Sequence, residues 1–124
     1  RKKPRNVSLW VSGSRSFADP LLKHYRDMLR SGSNVRIVVD SRINPEPVKK
    51  LEKEYEGRWE TKISPVSTTR RMTLVDDVLA IDGVRILPLE IAVPAYIGTV
   101  YLDRDSIATL QANFDGRWGM AKQL

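Results

Sequence analysis

The chain has 124 residues, of which 41% are apolar, and this is enough for one domain with its own hydrophobic core. It contains no cysteine, which excludes disulfide bonds and thiolate metal ligands. No apolar run approaches the roughly 20 residues that a membrane-spanning helix requires, so we expect a soluble, cytoplasmic protein.

The formal net charge of +6 is unevenly distributed, because four positive charges lie in the first five residues and the rest of the chain is nearly balanced. A short basic arm of this kind is more typical of a linker than of a recognition surface. We predict a basic linker or arm over residues 1–5 and a single domain over residues 6–124. The alternative is that the arm contacts nucleic-acid phosphates. Its cations are Arg1, Lys2, Lys3 and Arg5.

The first half of the chain alternates strand and helix patterns. Residues 7–12 predict a strand, and the pair Asp19-Pro20 after it predicts the start of a helix. Residues 35–40 are β-branched and almost continuously apolar, which predicts a second strand covered on both faces. Asn44-Pro45 then marks a second helix, whose narrow apolar stripe predicts packing at the surface.

Strand patterns dominate after Gly57, and a helix is predicted from about Asp105 to Trp118. The resulting order is β-α-β-α-β-β-β-β-α. This order predicts an α/β domain in which helices flank a mixed sheet. The later strands are predicted over residues 58–64, 72–75, 78–87 and 97–102.

The eight residues from Thr69 to Asp76 have the spacing of a catalytic motif. They resemble the His-x-Lys-x-x-x-x-Asp signature of the phospholipase D superfamily, in which the histidine attacks phosphorus. In this chain the three positions are Thr69, Arg71 and Asp76. A threonine cannot replace the imidazole, so the resemblance implies a protein that binds an anion or a polyol and is not an enzyme. The alternative is an ordinary strand from Met72 to Val75 after a polar loop.

Three further segments resemble this superfamily in the expected order. Residues 14–20 look like its turn into the first helix, and residues 30–40 look like its second-strand segment. Residues 101–121 resemble the terminal helix of phospholipase D-like domains in archaeal transcription regulators of the TrmB type. The resemblance implies one half of a phospholipase D-like fold that serves as the ligand-sensing and dimerisation domain, or effector domain, of such a prokaryotic regulator. A separate domain, absent from this chain, would bind DNA.

Ligands in open α/β sheets bind at the carboxyl ends of the strands. Residues with hydroxyl and cationic side chains follow the first predicted strand. Thr69 and Arg71 of the altered catalytic motif would reach the same place from a neighbouring strand. We therefore predict a site for a small polar or anionic ligand, formed by Ser12, Ser14, Arg15, Thr69, Arg71 and Asp76. Three alternatives stay open, namely a capped turn at residues 12–16, a solvated pair at Arg70 and Arg71, and a turn role for Asp76.

The other polar residues favour neither a cofactor nor a metal. His24 is the only histidine and lies within a predicted helix, so we expect it at the surface. Asp76-Asp77 has no third metal ligand at a suitable spacing, and Asp103 suits a helix N-cap. Two functional alternatives remain, a nucleic-acid-binding module using the basic arm with Arg70 and Arg71, and a divergent phosphodiesterase or nuclease using Asp76 with a metal.

The resemblance also implies a homodimer, because the superfamily builds its site from two facing halves and this chain holds one. Residues 87–96 are mostly apolar and contain two prolines, which makes them a poor central strand. We interpret them as a loop that covers the core or as the dimer interface.

Overall fold

The computed structural model describes residues 5–11, 19–39, 46–65, 70–86 and 95–123. Within these ranges, three helices pack on the two faces of a seven-stranded sheet. The strands are β1 (Asn6–Trp10), β2 (Asn34–Val39), β3 (Trp59–Ile63), β4 (Arg70–Val75), β5 (Leu79–Ile86), β6 (Ala95–Tyr101) and β7 (Lys122–Gln123). The helices are α1 (Asp19–Arg30), α2 (Glu46–Glu54) and α3 (Arg104–Met120).

The predicted α/β class and the order of the nine predicted elements are confirmed, with the two-residue β7 as an addition. The main difference is at β4, which begins at Arg70 and not at Met72. Arg70 and Arg71 pair with Val84 and Gly83 of β5, so the sheet extends through residues that the polar pattern assigned to a loop. The predicted helix start at Asn44-Pro45 lies outside the described residues.

The sheet has the order β6-β5-β4-β1-β2-β3-β7. β1 pairs in parallel with β2, and β2 pairs in parallel with β3. β4 runs antiparallel to β1, with Met72 opposite Trp10 and Val75 opposite Val7. The carboxyl ends of β1, β2 and β3 and the amino end of β4 therefore lie at one edge of the sheet. We call this edge the carboxyl edge and the opposite one the amino edge.

Helices α1 and α2 cover one face of β1, β2 and β3. Leu29, Val48 and Leu51 are completely buried, and Leu22 and Met28 of α1 are partly buried against the same core. Most of the charged residues of α2 are exposed. This is the packing expected for a surface helix with a narrow apolar stripe. The sheet contributes Val7, Leu9, Val11, Val35, Ile37, Val39 and Trp59 to this core.

Helix α3 covers the opposite face. Ile107, Leu110 and Phe114 are buried, as the helical spacing predicts, and Trp118 is half-buried at the end of the helix. Neighbouring residues Ile37 and Val38 of β2 are both inaccessible although they face opposite sides, so β2 is covered on both faces as predicted. The sheet residues under α3 are Trp10, Val38, Met72, Leu74 and Ala80.

Two cations of the sheet hold the end of α3 through its aromatic rings. The Arg36 guanidinium lies 5.2 Å from the centre of the Phe114 ring and 5.4 Å from that of Trp118. The Lys62 ammonium lies 4.5 Å from the Trp118 ring. These contacts leave the cationic groups near solvent while their aliphatic stems cover the core.

The first turn of α3 is capped as predicted. The Asp103 carboxylate accepts a hydrogen bond of 2.9 Å from the Ser106 backbone N–H. Hydrogen bonds from Ser106 lower the pKa of this carboxyl below its usual value. No helix in the described part of the chain is long and apolar enough to cross a membrane.

Candidate ligand-binding groove

The clearest candidate site is an open face on β4, β5 and β6. This face lies on the same side of the sheet as α1 and α2, because Thr73 is opposite Leu9 of β1. The exposed fractions are 38% for Ile81 and 57% for Val100, so neither helix covers them. Exposed apolar side chains on neighbouring strands, such as these two, are typical of a surface that binds a ligand or a partner.

Two rows of residues cross the three strands on this face. In the row nearer the carboxyl edge, Gly83 is opposite Arg71 on one side and Gly98 on the other. In the next row, Ile81 is opposite Thr73 and Val100. These residues surround a groove of about 370 Å³. They are Arg71, Thr73, Ile81, Gly83, Gly98 and Val100.

The floor of the groove has no side chains where the two glycines meet. A Cβ added to Gly83 would lie 3.0 Å from the Ile97 carbonyl oxygen. A Cβ added to Gly98 would lie 3.2 Å from the Asp82 carbonyl oxygen. The two backbones thus approach each other more closely than side chains would permit. Gly83 is buried and Gly98 is exposed, so the bare backbone at this level is accessible on β6 and not beside Arg71.

Arg71 is the only charged residue among the six that line the groove. Its side chain is half-buried, and its guanidinium has the fork of donors that matches a carboxylate or a phosphate. The Thr73 hydroxyl adds a second polar group, and the remaining lining is apolar or glycine. This composition suits a ligand with one anionic group and an apolar part.

Of the six predicted site residues, the structure places Arg71 in this groove. Ser12, Ser14, Arg15 and Thr69 lie outside the described residues. Val11, the residue before Ser12, lies at the carboxyl edge, where its N–H donates to the Val38 carbonyl oxygen over 3.0 Å.

Asp76 lies at the amino edge, at the opposite end of β4 from Arg71. The two positions are five residue steps apart along an extended chain, which corresponds to roughly 16 Å. The Asp76 carboxylate accepts a hydrogen bond of 2.8 Å from the Asn6 backbone N–H, and the Asp76 N–H donates to the Asn6 carbonyl oxygen over 2.9 Å. The Arg5 guanidinium lies 3.8 Å from the same carboxylate. The structure therefore does not bring Arg71 and Asp76 together.

Asp76 also has a backbone φ of +48°, in the left-handed region. Aspartate and asparagine enter this region more readily than most residues because of their short polar side chains. Asp76 is thus a turn residue between β4 and β5, as one of the sequence alternatives stated.

Arg70 has a different environment from Arg71, because neighbouring strand residues point to opposite faces. Its guanidinium donates two hydrogen bonds, of 3.0 and 3.1 Å, to the Asp82 carboxylate. It also lies 5.1 Å from the centre of the Trp10 ring, on the α3 side. The interpretation of Arg70 and Arg71 as a solvated pair is wrong, since the pleat separates them and Asp82 holds Arg70.

His24 lies on α1 and is exposed, as the sequence predicts. Among the described residues, no three acidic or histidine side chains come together in a way that could hold a metal ion.

A second cleft, of about 560 Å³, lies at the amino edge on the α3 side. It is more polar than the groove, and its Arg36 is held by the Asp115 carboxylate at 3.3 Å and by the Ser8 hydroxyl at 3.2 Å. We regard it as the less favourable site for an anion, because the Asp76 carboxylate is among the residues that line it.

Known protein structures share the architecture of this chain. The phospholipase D family member Nuc from Salmonella typhimurium matches 96% of this chain and 81% of its own, with a TM-score of 0.72 and 14% sequence identity. The chain has a phospholipase D-like fold. NucT from Helicobacter pylori matches 96% of this chain and 82% of its own, with a TM-score of 0.64 and 10% identity. No protein-family pattern and no curated protein sequence matches this chain.

The phospholipase D-like domain is also similar to TrmBL2, an archaeal chromatin protein with a novel mode of DNA binding. That match covers 96% of this chain, has a TM-score of 0.67 and shows 15% identity. The chain spans 45% of TrmBL2, so this fold occurs there as part of a longer protein. The expectation of a phospholipase D-like domain of the kind found in TrmB-type proteins is thus confirmed for the fold.

Proposed function

We propose that this phospholipase D-like domain is a non-catalytic effector domain that binds a small anionic ligand through Arg71. It would act within a longer transcription regulator of the TrmB type, whose DNA-binding domain is separate. The observation that carries the proposal is the position of Arg71, which is the only charged residue among the six that line the groove. Ser12, Ser14, Arg15 and Thr69 are proposed as further donors to the ligand.

The replacement of the motif's histidine by Thr69 supports a binding role over catalysis. Thr69 occupies the position of the attacking histidine in the phospholipase D motif. A threonine hydroxyl needs a neighbouring base to become a nucleophile. The chain has one histidine, His24, which is exposed on α1, and it has no cysteine. Asp76 is not assigned to the ligand here, because its carboxylate is engaged at the other end of β4.

A thermal-shift screen tests this function. The panel contains inorganic phosphate, sulfate, sugar phosphates, nucleotides, short carboxylic acids and short duplex DNA, each at low and at physiological salt. We expect at least one small anion to raise the melting temperature at both salt concentrations, because a partly buried contact is screened less than an exposed one. The substitution Arg71→Ala should abolish that rise.

The matched control is Arg104→Ala, which removes an arginine whose side chain is 86% exposed at the start of α3. It should leave the rise unchanged. The proposal fails if no small anion stabilises the protein, or if Arg71→Ala and the control respond alike.

Nucleic-acid binding is the second candidate, and the similarity to TrmBL2 favours it. The cations would then be those of residues 1–5 together with Arg70 and Arg71. These two lie on opposite faces of β4, and a phosphate would have to displace the Asp82 carboxylate from Arg70. Phosphate contacts release counterions, so affinity would fall steeply with salt. A melting-temperature rise seen only with DNA, and lost at physiological salt, would select this function over the first.

We also propose that the domain forms the homodimer implied by the resemblance. Ala95 and Tyr96 belong to β6, while the rest of the apolar segment that we interpreted as an interface lies outside the described residues. β6 is one of the two edge strands of the described sheet, and Ile97 and Val100 on its two faces are 67% and 57% exposed. Exposed apolar edge strands pair readily with other strands.

Light scattering over a range of concentrations tests the dimer. We expect a mass approaching twice 14.1 kDa at high protein concentration, and a return to the monomer mass with Thr99→Lys, which places a charge on the edge. A monomer at every concentration would refute the dimer.

A further inference from the structure

The strands near the two edges of the described sheet differ in how their outer sides are occupied. On the outer side of β3, the Thr61 N–H donates to the Glu52 carboxylate of α2 over 3.1 Å, and Lys62 and Ile63 pair with β7. β6 lies at the other edge, where residues 97–100 are all exposed. Proteins usually cover, shorten or charge an edge strand that stays unpaired. The difference indicates that β6 is the edge that accepts a partner.

The sequence of β6 lacks the features that prevent strand pairing. Its seven residues, AYIGTVY, contain no charge and no proline. They pair one to one with β5, from Ala95 opposite Ile86 to Tyr101 opposite Ala80, so no bulge turns the edge of this strand away. A regular, uncharged edge strand of this kind is a template for a further strand.

The close approach of Gly83 and Gly98 shows which backbone groups of β6 point outward. A Cβ added to Gly83 would lie 3.0 Å from the Ile97 carbonyl oxygen and 3.4 Å from the Gly98 Cα. These distances fit a non-hydrogen-bonded pair, in which the Cα atoms are close and the polar backbone groups of both residues point away from each other. Because this pattern alternates along a strand, the N–H and C=O groups of Tyr96, Gly98 and Val100 point to the open side of β6.

A second copy of β6 matches this edge in an antiparallel register centred on Gly98. Gly98 is the middle residue of the strand, so a twofold axis there lets every residue of β6 pair. Tyr96 of each copy is then opposite Val100 of the other, and the outward N–H and C=O groups find partners. Ile97 is opposite Thr99, which brings two β-branched side chains together on one face without any like charges.

We propose that the domain forms a closed dimer in which two β6 strands pair antiparallel about Gly98 and the two sheets become one. This inference rests on the homodimer proposed above, and it adds the position of the axis, the register and the closure. Assembly stops at two copies because each β6 edge is used once, while Glu52 and β7 occupy the outer side of β3 in each copy.

Disulfide cross-linking of single-cysteine variants tests the register. The chain has no cysteine, so a disulfide in such a variant can only join two copies. In the proposed register, the Cα atoms of Ile97 and of Thr99 in the other copy are roughly 4.5 Å apart, which a disulfide can span. Like residues are roughly 8 Å apart, which is too far. We expect an equimolar mixture of Ile97→Cys and Thr99→Cys to cross-link at least about tenfold faster than either variant alone.

The variants are mixed in reduced form before mild oxidation, and electrophoresis without reductant measures the cross-linked dimer. Asn113→Cys is the matched control, because Asn113 is also exposed but lies on α3. Its mixture with Thr99→Cys should cross-link no faster than either variant alone. Ile97 and Thr99 are both exposed, so unchanged circular dichroism is expected for their variants.

Failure of this inference is separable from failure of the homodimer. A mass near twice 14.1 kDa, with the Ile97→Cys and Thr99→Cys mixture no faster than the control, would refute pairing about Gly98 and leave the homodimer standing. Fast cross-linking of Ile97→Cys alone or of Thr99→Cys alone would move the axis to that residue and overturn the register. Species larger than the dimer in light scattering would overturn the closure. A monomer at every concentration would refute the homodimer and this inference together.

Discussion

Replacing Phe114 with alanine should reduce the free energy of unfolding by about 3–5 kcal/mol, the range for removing a buried phenylalanine side chain. Phe114 is completely buried at the centre of the contact between α3 and the sheet. Its ring packs 6.0 Å from that of Trp118 and lies under the Arg36 guanidinium. The substitution leaves a cavity and removes the surface on which Arg36 rests.

Urea unfolding followed by circular dichroism measures this effect. Met120→Ala is the control on the same helix, because Met120 is 66% exposed and its truncation should change stability by no more than about 0.5 kcal/mol. If Phe114→Ala lowers the free energy of unfolding by less than about 1 kcal/mol, the packing of α3 against the sheet described above is wrong.

Replacing Asp76 with alanine should destabilise the protein by about 1–3 kcal/mol, since two unfavourable changes combine. The Asn6 backbone N–H loses its carboxylate acceptor, and alanine must adopt a φ of +48° that disfavours it. Asp76→Asn should cost less, because asparagine tolerates this conformation and retains an acceptor oxygen. Asp76→Gly should fall between them, since it relieves the backbone but loses the acceptor.

The same variants decide whether Asp76 takes part in binding. Asp77→Ala is the control, because Asp77 is exposed in the same turn. We expect Asp76→Ala to lower the melting temperature without reducing the additional rise that a bound anion produces. If the Asp76→Ala protein keeps its stability but its melting temperature no longer rises with the anion, Asp76 belongs to the ligand site, as the motif spacing suggests.

Much of the fold can be predicted from the sequence because local patterns and packing agree. The spacing of Ile107, Leu110 and Phe114 indicates the buried face of α3, and Asp103 marks its first turn by a local hydrogen bond. The β-branched run of β2 indicates burial on both faces, which Ile37 and Val38 show. These signals depend on neighbours along the chain, so they can be recognised without knowing the rest of the fold.

The start of β4 is less predictable because its cause lies on other strands. Arg70 and Arg71 have no apolar pattern, and they join the sheet because β5 offers paired backbone groups and Asp82 accepts the Arg70 guanidinium. Asp82 can be identified as the partner of Arg70 only from the pairing register of β4 and β5.

Motif spacing identifies Arg71 as a candidate site residue. This prediction depends only on the type of residue at that position, so it does not require knowing where the strand lies in the sheet. The close approach of Gly83 and Gly98 is not among the predictions, although a glycine in each of two strand patterns is a signal for it. The two residues meet only because the strand register sets them opposite each other, and that register is not encoded by either strand alone. Asp76 was assigned to the site because the motif links it to Arg71, whereas an extended strand keeps the two at opposite edges.

Amide correlation spectra of the isotope-labelled domain, recorded during titration with inorganic phosphate and then with acetate, show whether an anion binds beside Arg71. We expect saturable shifts of the backbone amides of Arg71, Gly83 and Gly98, which Arg71→Ala abolishes. Saturable shifts centred instead on Ser8, Asn34 and Arg36 at the amino edge, or no saturable shift with either anion, would refute binding in this groove.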